Sequence, residues 1–421
     1  MARFLYTLLY TLLLPVFVAR LWWRGRQNPG YRQRIGERFG RLPHRPGKHG
    51  LWVHAVSVGE TLAAAPYIKA MQQRYPDLPI IVTTTTPTGS EQVKRLFGER
   101  VFHMFLPYDL PAFWRPFLKQ IQPGLLVVME TELWPTLMAA CESRNIPVML
   151  ANARLSEKSA RGYARFAALT TPMLKRLSLV AAQNATDGQR FTELGLNANQ
   201  LEVTGSVKFD VDLPANVQQM GEALRHEWGA ERRVLALASS HADEDEQLLA
   251  LFPQLQQQCQ DLLLLLIPRH PERFDAVTQA AKQAGLTVQR RSQGPASMDT
   301  QVYVADTMGE MLQLLAAADL VLMGGSLIAH GGHNPIEPAA LGKATLIGPH
   351  YANFAVIADN LVSEGALAVV QPDTLAEQLL CYLEDAARRQ VMGKAGEAAV
   401  ARNRGAVKRL VALSAAFLKL S

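Results

Sequence analysis

Cysteine is nearly absent: Cys141, Cys259 and Cys381 are the only three in 421 residues. Widely spaced and odd in number, they exclude a disulfide framework and a zinc-binding spacing, and they read as plain thiols. Nor is there an HExxH pattern, and His330 and His333 lack a third nearby ligand, so no metal is expected. Charge is also scarce. Charged residues make up 19% and hydrophobic ones 48%, which excludes disorder and makes large cores easy to bury. Long repeats and low-complexity tracts are missing too, and the length suggests roughly two to four domains.

Acid is missing from one stretch above all. Between Arg20 and Lys48 stand nine cationic residues and a single acid, Glu37, a local charge of +8 in a chain whose net charge is +6. The remainder therefore carries −2. The basic character belongs to one arm, and no nucleic-acid surface is expected. That arm follows FLYTLLYTLLLPVFVA at 4–19, which continues through Leu21, Trp22 and Trp23. About 20 helical residues span a hydrocarbon core. The run leads into RLWWRGR, not a small-residue cleavage site, which argues against a removed signal peptide. Arginine-rich flanks stay cytoplasmic and paired Trp suit the interface. The expectation is a single uncleaved anchor, tilted or partly embedded because Pro15 and Arg20 shorten it, with the remaining mass on the cytoplasmic side.

Beyond the anchor, short apolar runs alternate with helical segments. Strands are predicted at 51–57, 79–86, 100–107, 124–130, 147–153, 177–183 and 201–207, then at 232–240, 261–270, 286–292, 301–307, 319–326, 344–350 and 367–372. Runs apolar on both faces, separated by helices, call for parallel sheets covered on both sides. The break at FDVDLPANV reads as a linker over 209–217. The expected domains are an anchor and basic arm at 1–48, a first domain at 49–208, a second at 218–405 and a C-terminal helix at 406–421. The expected fold class is α/β, two Rossmann-like doubly wound domains facing a cleft.

Ligands of such sheets bind beyond the carboxyl ends of the strands. Those ends carry Ser57 to Glu60, Glu130, Asn152, Lys208, Ser239 to His241, Arg269 with His270, Thr307 to Met311, and GGSLIAHGGHNPIEPAALGK at 324–343. The last is the densest motif. Its glycine pairs let backbone N–H groups approach a phosphate, and Asn334 and Pro335 suit the start of a helix carrying Glu337. Arg269 suits bidentate grip on phosphate oxygens. Glu60 is the odd residue, a carboxylate where a helix N-terminus would favour an anion. The dipole there should keep it ionised, as a base or simply as a helix cap. Lys208 reads as lying in the crease between the domains.

Taken in order, HAVSVGE (54–60), METELWP (129–135), TGSVKFD (204–210), PRHPER (268–273), DTMGEM (306–311) and GGSLIAHGGHNPIEPA (324–339) resemble the membrane-anchored 3-deoxy-D-manno-oct-2-ulosonic acid (Kdo) transferases of Gram-negative bacteria. The resemblance covers nearly the whole chain. It implies the GT-B fold, the donor CMP-Kdo without a metal, and the lipid A precursor (lipid IVA) as acceptor at the cytoplasmic face of the inner membrane. It implies Glu60 as general base, with Glu130 and Lys208 stabilising the transition state. It places CMP contacts at Pro268, Arg269, Gly309, Glu310, Met311, Pro335, Ile336, Glu337 and Pro338. The sheet pattern and glycine loop alone also fit a UDP-sugar transferase or epimerase, and the anchor alone fits a non-catalytic membrane-tethered sugar- or lipid-binding protein.

Overall fold

All fourteen predicted strands are present, each within or at the edge of its expected run, in the computed structural model, which describes residues 1–42 and 47–420. The chain divides into Met1–Asp210 with Asn403–Ser421, and Val211–Arg402. In the first unit the strands are β1 (Leu51–His54), β2 (Ile80–Thr84), β3 (Phe102–Phe105), β4 (Leu125–Met129), β5 (Val148–Ala153), β6 (Leu179–Ala182) and β7 (Leu201–Val203). They form one parallel sheet in the order β3-β2-β1-β4-β5-β6-β7. Side chains alternate across a strand, so Leu51 and Val53 feed one core while Trp52 feeds the other.

The second unit repeats the plan with β8 (Val234–Ser240), β9 (Leu263–Pro268), β10 (Val288–Arg290), β11 (Val302–Val304), β12 (Leu320–Met323), β13 (Ala344–Ile347) and β14 (Ala368–Val369). Its parallel order is β10-β11-β9-β8-β12-β13-β14. The direction of winding reverses between β1 and β4 in the first sheet and between β8 and β12 in the second. Those two reversals are the switch points where open α/β sheets bind ligands.

The C-terminal helix (Ala406–Leu418), read from sequence as a separate segment, belongs to the first unit. The Asp210 carboxylate accepts the amides of Gly405 and Val407 at 2.5 Å each, Arg409 donates to the Thr204 carbonyl at 2.6 and 2.8 Å, and Ser414 bonds the Tyr67 hydroxyl at 2.6 Å. Ala406, Leu410 and Val411 join the core on that face of the sheet.

The N-terminal helix runs unbroken from Ala2 to Arg24 through Pro15, and its length and hydropathy suffice to cross a membrane. Its two faces differ. Tyr6, Tyr10, Phe17 and Leu21, spaced as one helical stripe, are half-buried, while Phe4, Leu5, Leu8, Leu9, Leu12 and Val16 are exposed, as are Trp22 and Trp23. The Tyr6 hydroxyl donates to the buried Asp109 carboxylate at 3.0 Å. Asp109 also accepts from Trp114 Nε1 and from the amides of Thr136 and Leu137, so one carboxylate ties the helix to two others. Tyr6→Phe is expected to cost about 1 kcal/mol at this tether. It should appear as faster tryptic cleavage within the first 24 residues of the detergent-solubilised chain.

Two cations of the basic arm turn inward. Arg34 donates to Glu37 and to the His103 carbonyl at 2.7 Å each. Arg38, 5% exposed, stacks on Phe105 and donates to the Thr85 carbonyl at 2.8 Å. Strand-end carbonyls and Glu37 offer these two cations better partners than water. Arg45 of the arm lies outside the described residues, as does Ser421.

Candidate active site

At the switch point of the first sheet, helix Val58–Arg74 begins one residue after Ser57. Ser57 caps it, and Glu60 reaches back past the cap to the residue before it. The Ser57 hydroxyl accepts the Glu60 amide, while the Glu60 carboxylate accepts the Val56 amide at 2.8 Å and the Ser57 hydroxyl at 3.2 Å. Glu60 is thus a helix cap by geometry. Its ionisation departs from expectation, because burial, with smaller pushes from Glu132 and Glu130, lifts it to about 7 against the pull of its hydrogen bonds. Desolvation outweighs the helix dipole here. Among the described residues outside its own helix backbone, the Ser57 hydroxyl oxygen, at 3.9 Å, is all that a Cβ at Gly59 would meet, so the turn before Glu60 lies open.

Glu130 follows β4 across the same reversal, in the left-handed conformation (φ 58°) that non-glycine residues seldom adopt. Its carboxylate pairs with Arg154 Nε at 2.9 Å. Lys208 lies on the 3-10 turn Val207–Phe209 of this same unit, within reach of the fields of Glu130 and Arg154, and burial pulls its ammonium down. The turn is held by Asn152, also left-handed (φ 52°) and fully buried, whose side-chain oxygen accepts the Val207 amide at 3.2 Å. One unit therefore gathers Glu60, Glu130, Asn152 and Lys208, with Glu132 and Arg154 as companions not counted from sequence among the strand-end residues. Glu132 lay in plain view two positions after Glu130. His54, at the start of the motif that ends in Glu60, is an interior residue, bonded to Thr83 and pushed down to about 4 by burial.

The second switch point differs from the sequence reading in one respect. The glycine loop after β12 is not an open phosphate cradle. The fully buried Glu244 carboxylate accepts the amides of Gly325 at 2.7 Å and of Ser326 and Leu327 at 3.0 Å each, and that of His241 at 3.1 Å. Gly324 is required for a different reason: a Cβ there would sit 2.5 Å from the Ser239 carbonyl oxygen. Glu244 was missed, although its place three residues after His241 is the spacing of a capping box.

Around this loop the structure collects imidazoles. His241 Nε2 lies 3.0 Å from His333 Nε2, the His241 and His330 rings stack at 4.3 Å, and the His270 ring is 6.1 Å from that of His241. Burial first, then His241 and Arg269, push His333 down to about 4. Arg269 follows Pro268 at the end of β9, its amide bonded to the Ser240 carbonyl, and its charge reaches Glu337, whose carboxyl burial raises. Asn334 accepts the Ile336 amide at 3.1 Å ahead of the short helix Ile336–Ala340 that contains Pro338. Pro335 immediately precedes that helix. Among the described residues, none but its chain neighbours comes within 4 Å of where a Cβ would be on Gly309 (φ 85°), and Met311 opens the next helix. The Glu310 carboxylate is occupied by Arg291 at 3.2 Å and by Thr307 and Gln313, which hold its acid below the usual range. Among the described residues, no group of three or more His, Cys, Asp or Glu is placed to hold a metal ion.

The comparisons with known proteins converge. Residues 33–211 match the family described as 3-Deoxy-D-manno-octulosonic-acid transferase (kdotransferase). The chain is 40% identical over its whole length to the 3-deoxy-D-manno-octulosonic acid transferase of Haemophilus influenzae, covering 99% of that protein. It is 38% identical over 97% of its length to that of Bordetella pertussis, covering 98% of it. In fold it is similar to MurG of Acinetobacter baumannii, with a TM-score of 0.56 at 15% identity over 87% of this chain and 99% of that one. Two parallel doubly wound sheets with that neighbour give the GT-B fold, and the full-length relatives give the activity: the chain belongs to the Kdo transferase family and is a glycosyltransferase.

Proposed function

We propose that the protein transfers Kdo from CMP-Kdo to the lipid A precursor, lipid IVA, in lipopolysaccharide core assembly at the cytoplasmic face of the inner membrane. The observation that carries the mechanism is Glu60, a carboxylate at a switch point with an ionisation near 7. A base is most effective when its pKa is close to the working pH. The acceptor hydroxyl oxygen attacks the anomeric carbon of Kdo, Glu60 takes its proton, and the bond from that carbon to the CMP phosphate oxygen breaks. Direct displacement inverts the anomeric centre.

Lys208 offsets negative charge on the donor, and Glu130, aimed by Arg154, favours positive charge developing on the departing sugar. The first unit receives the acceptor and the second the donor. Arg269 holds the phosphate, and the segments 309–311 and 335–338 hold the nucleotide, with Glu337 accepting hydrogen bonds from the ribose hydroxyls. Protein cations supply the charge a divalent ion gives in other transferases. The exposed apolar stripe of the N-terminal helix and its flanking Trp and Arg residues support seating at the membrane surface.

Arg269→Ala is expected to weaken donor binding by about 10- to 100-fold, the worth of a charged hydrogen bond, with kcat changed far less. A competition titration checks nucleotide choice: CMP should displace CMP-Kdo well below the concentration at which UDP does. Preferential displacement by UDP would contradict the assignment. Chelator should leave the rate unchanged.

A further inference from the structure

Between the N-terminal helix and the rim of the first sheet lies a cavity of about 340 Å³, lined among others by Tyr10, Phe17, Arg20, Arg38, Tyr108 and Trp134. A second space of about 200 Å³ shares Tyr10, Arg38, Tyr108 and Trp134 and is bounded by Val56. Val56 is the residue whose amide holds the Glu60 carboxylate at 2.8 Å. Ring faces and guanidinium groups line the same space, which suits a molecule that is apolar at one end and anionic at the other.

Two donors in the wall lack partners. Arg38 is 5% exposed, yet its Nε has no hydrogen-bond acceptor among the described residues, and neither does the buried indole N–H of Trp134. Buried donors without acceptors are costly and rare in folded proteins. Burial also pulls the Arg38 guanidinium down, a cost that an anion beside it would relieve. At about 340 Å³ the cavity stands at the small end of ligand pockets, which run from about 300 to 1,000 Å³, so it takes a headgroup fragment and not a whole glycolipid.

We infer that this cavity seats the phosphate-bearing end of an acylated glycolipid acceptor, its phosphate on Arg38 and Trp134 and its chains leaving along the aromatic wall of the N-terminal helix. The assignment rests on the transferase reading above and adds to it a named acceptor site. Arg20 at the mouth would draw in the anion, and the neighbouring space would lead the sugar towards Glu60.

Steady-state transfer by the full chain in mixed micelles tests it, with saturating CMP-Kdo and either lipid IVA or the same lipid stripped of phosphate. Trp134→Phe and Arg38→Gln should each raise the KM for lipid IVA about tenfold, the worth of one charged hydrogen bond. The KM for CMP-Kdo should stay within about twofold of wild type, and the preference for the phosphorylated lipid should shrink. Trp134→Phe, the smaller change, carries the test alone if Arg38→Gln does not fold. An unchanged acceptor KM, or an intact preference, overturns the inference. So does lost sedimentation with anionic phospholipid vesicles at unchanged KM, which would make bulk membrane lipid the occupant. Equilibrium binding of the two lipids without CMP-Kdo separates the readings: phosphate-dependent binding lost in Trp134→Phe, in a protein that transfers no Kdo, would uphold the cavity and sink the transferase mechanism.

Discussion

Glu60→Gln should lower kcat for Kdo transfer by about a thousandfold, within the range ascribed to a positioned general base, and leave CMP-Kdo affinity near wild type. The amide keeps the shape of the carboxylate, and its one oxygen still accepts the Val56 amide, so the helix cap survives in part. A capping role alone predicts a different result, namely a small loss of stability with turnover intact. The pH profile gives a second reading. Because burial lifts Glu60 to about 7, only its deprotonated form can accept a proton, so the wild-type rate should rise with pH through about 7 and level off above it. Below that the rate should fall about tenfold per pH unit. A profile flat from pH 5 to pH 8 would remove Glu60 as the base.

The second large effect is expected at Glu244, whose partners in the glycine loop no reading of single motifs singles out. Glu244→Ala leaves four amides, those of His241, Gly325, Ser326 and Leu327, without their acceptor. The loss of a buried carboxylate that satisfies several donors costs about 3–5 kcal/mol. In a unit of this size that corresponds to a fall in Tm of roughly 6–20 °C. Donor binding should weaken with it, because His241 and the glycine loop owe their positions to that carboxylate. Glu244→Gln, which keeps one acceptor oxygen, should fall between. Thermal melts followed by CMP titration check both, and a Glu244→Ala melt indistinguishable from wild type would show that the loop holds itself.

How far the fold was legible follows from where its information lies. Parallel strands covered on both faces need apolar residues on both sides, so runs such as VVM before Glu130 and LLLLLI at 262–267 announce themselves without a partner being known. The switch points follow from strand order, and the residues at strand ends follow from the strands. Pairings between distant segments do not. The C-terminal helix is amphipathic, but its destination depends on Asp210, Tyr67 and Thr204, hundreds of residues upstream. The glycine loop was readable as a motif, while the owner of its amides lies some eighty residues earlier, in a different helix. The dense positive charge of the arm said nothing of Arg34 and Arg38 turning inward, since that turns on a carbonyl and a ring from β3. The ionisation of Glu60 was misjudged for the same reason, because burial and the neighbouring Glu132 are tertiary facts.

The most direct test of the transferase mechanism is transfer itself. Purified full-length protein in detergent is incubated with CMP-Kdo and lipid IVA, and lipid mass and CMP release are followed together. Lipid should gain one Kdo residue or more, with one CMP released for each, and almost nothing with Glu60→Gln. Lipid of unchanged mass with the wild-type protein, or equal gain with Glu60→Gln, would contradict that mechanism.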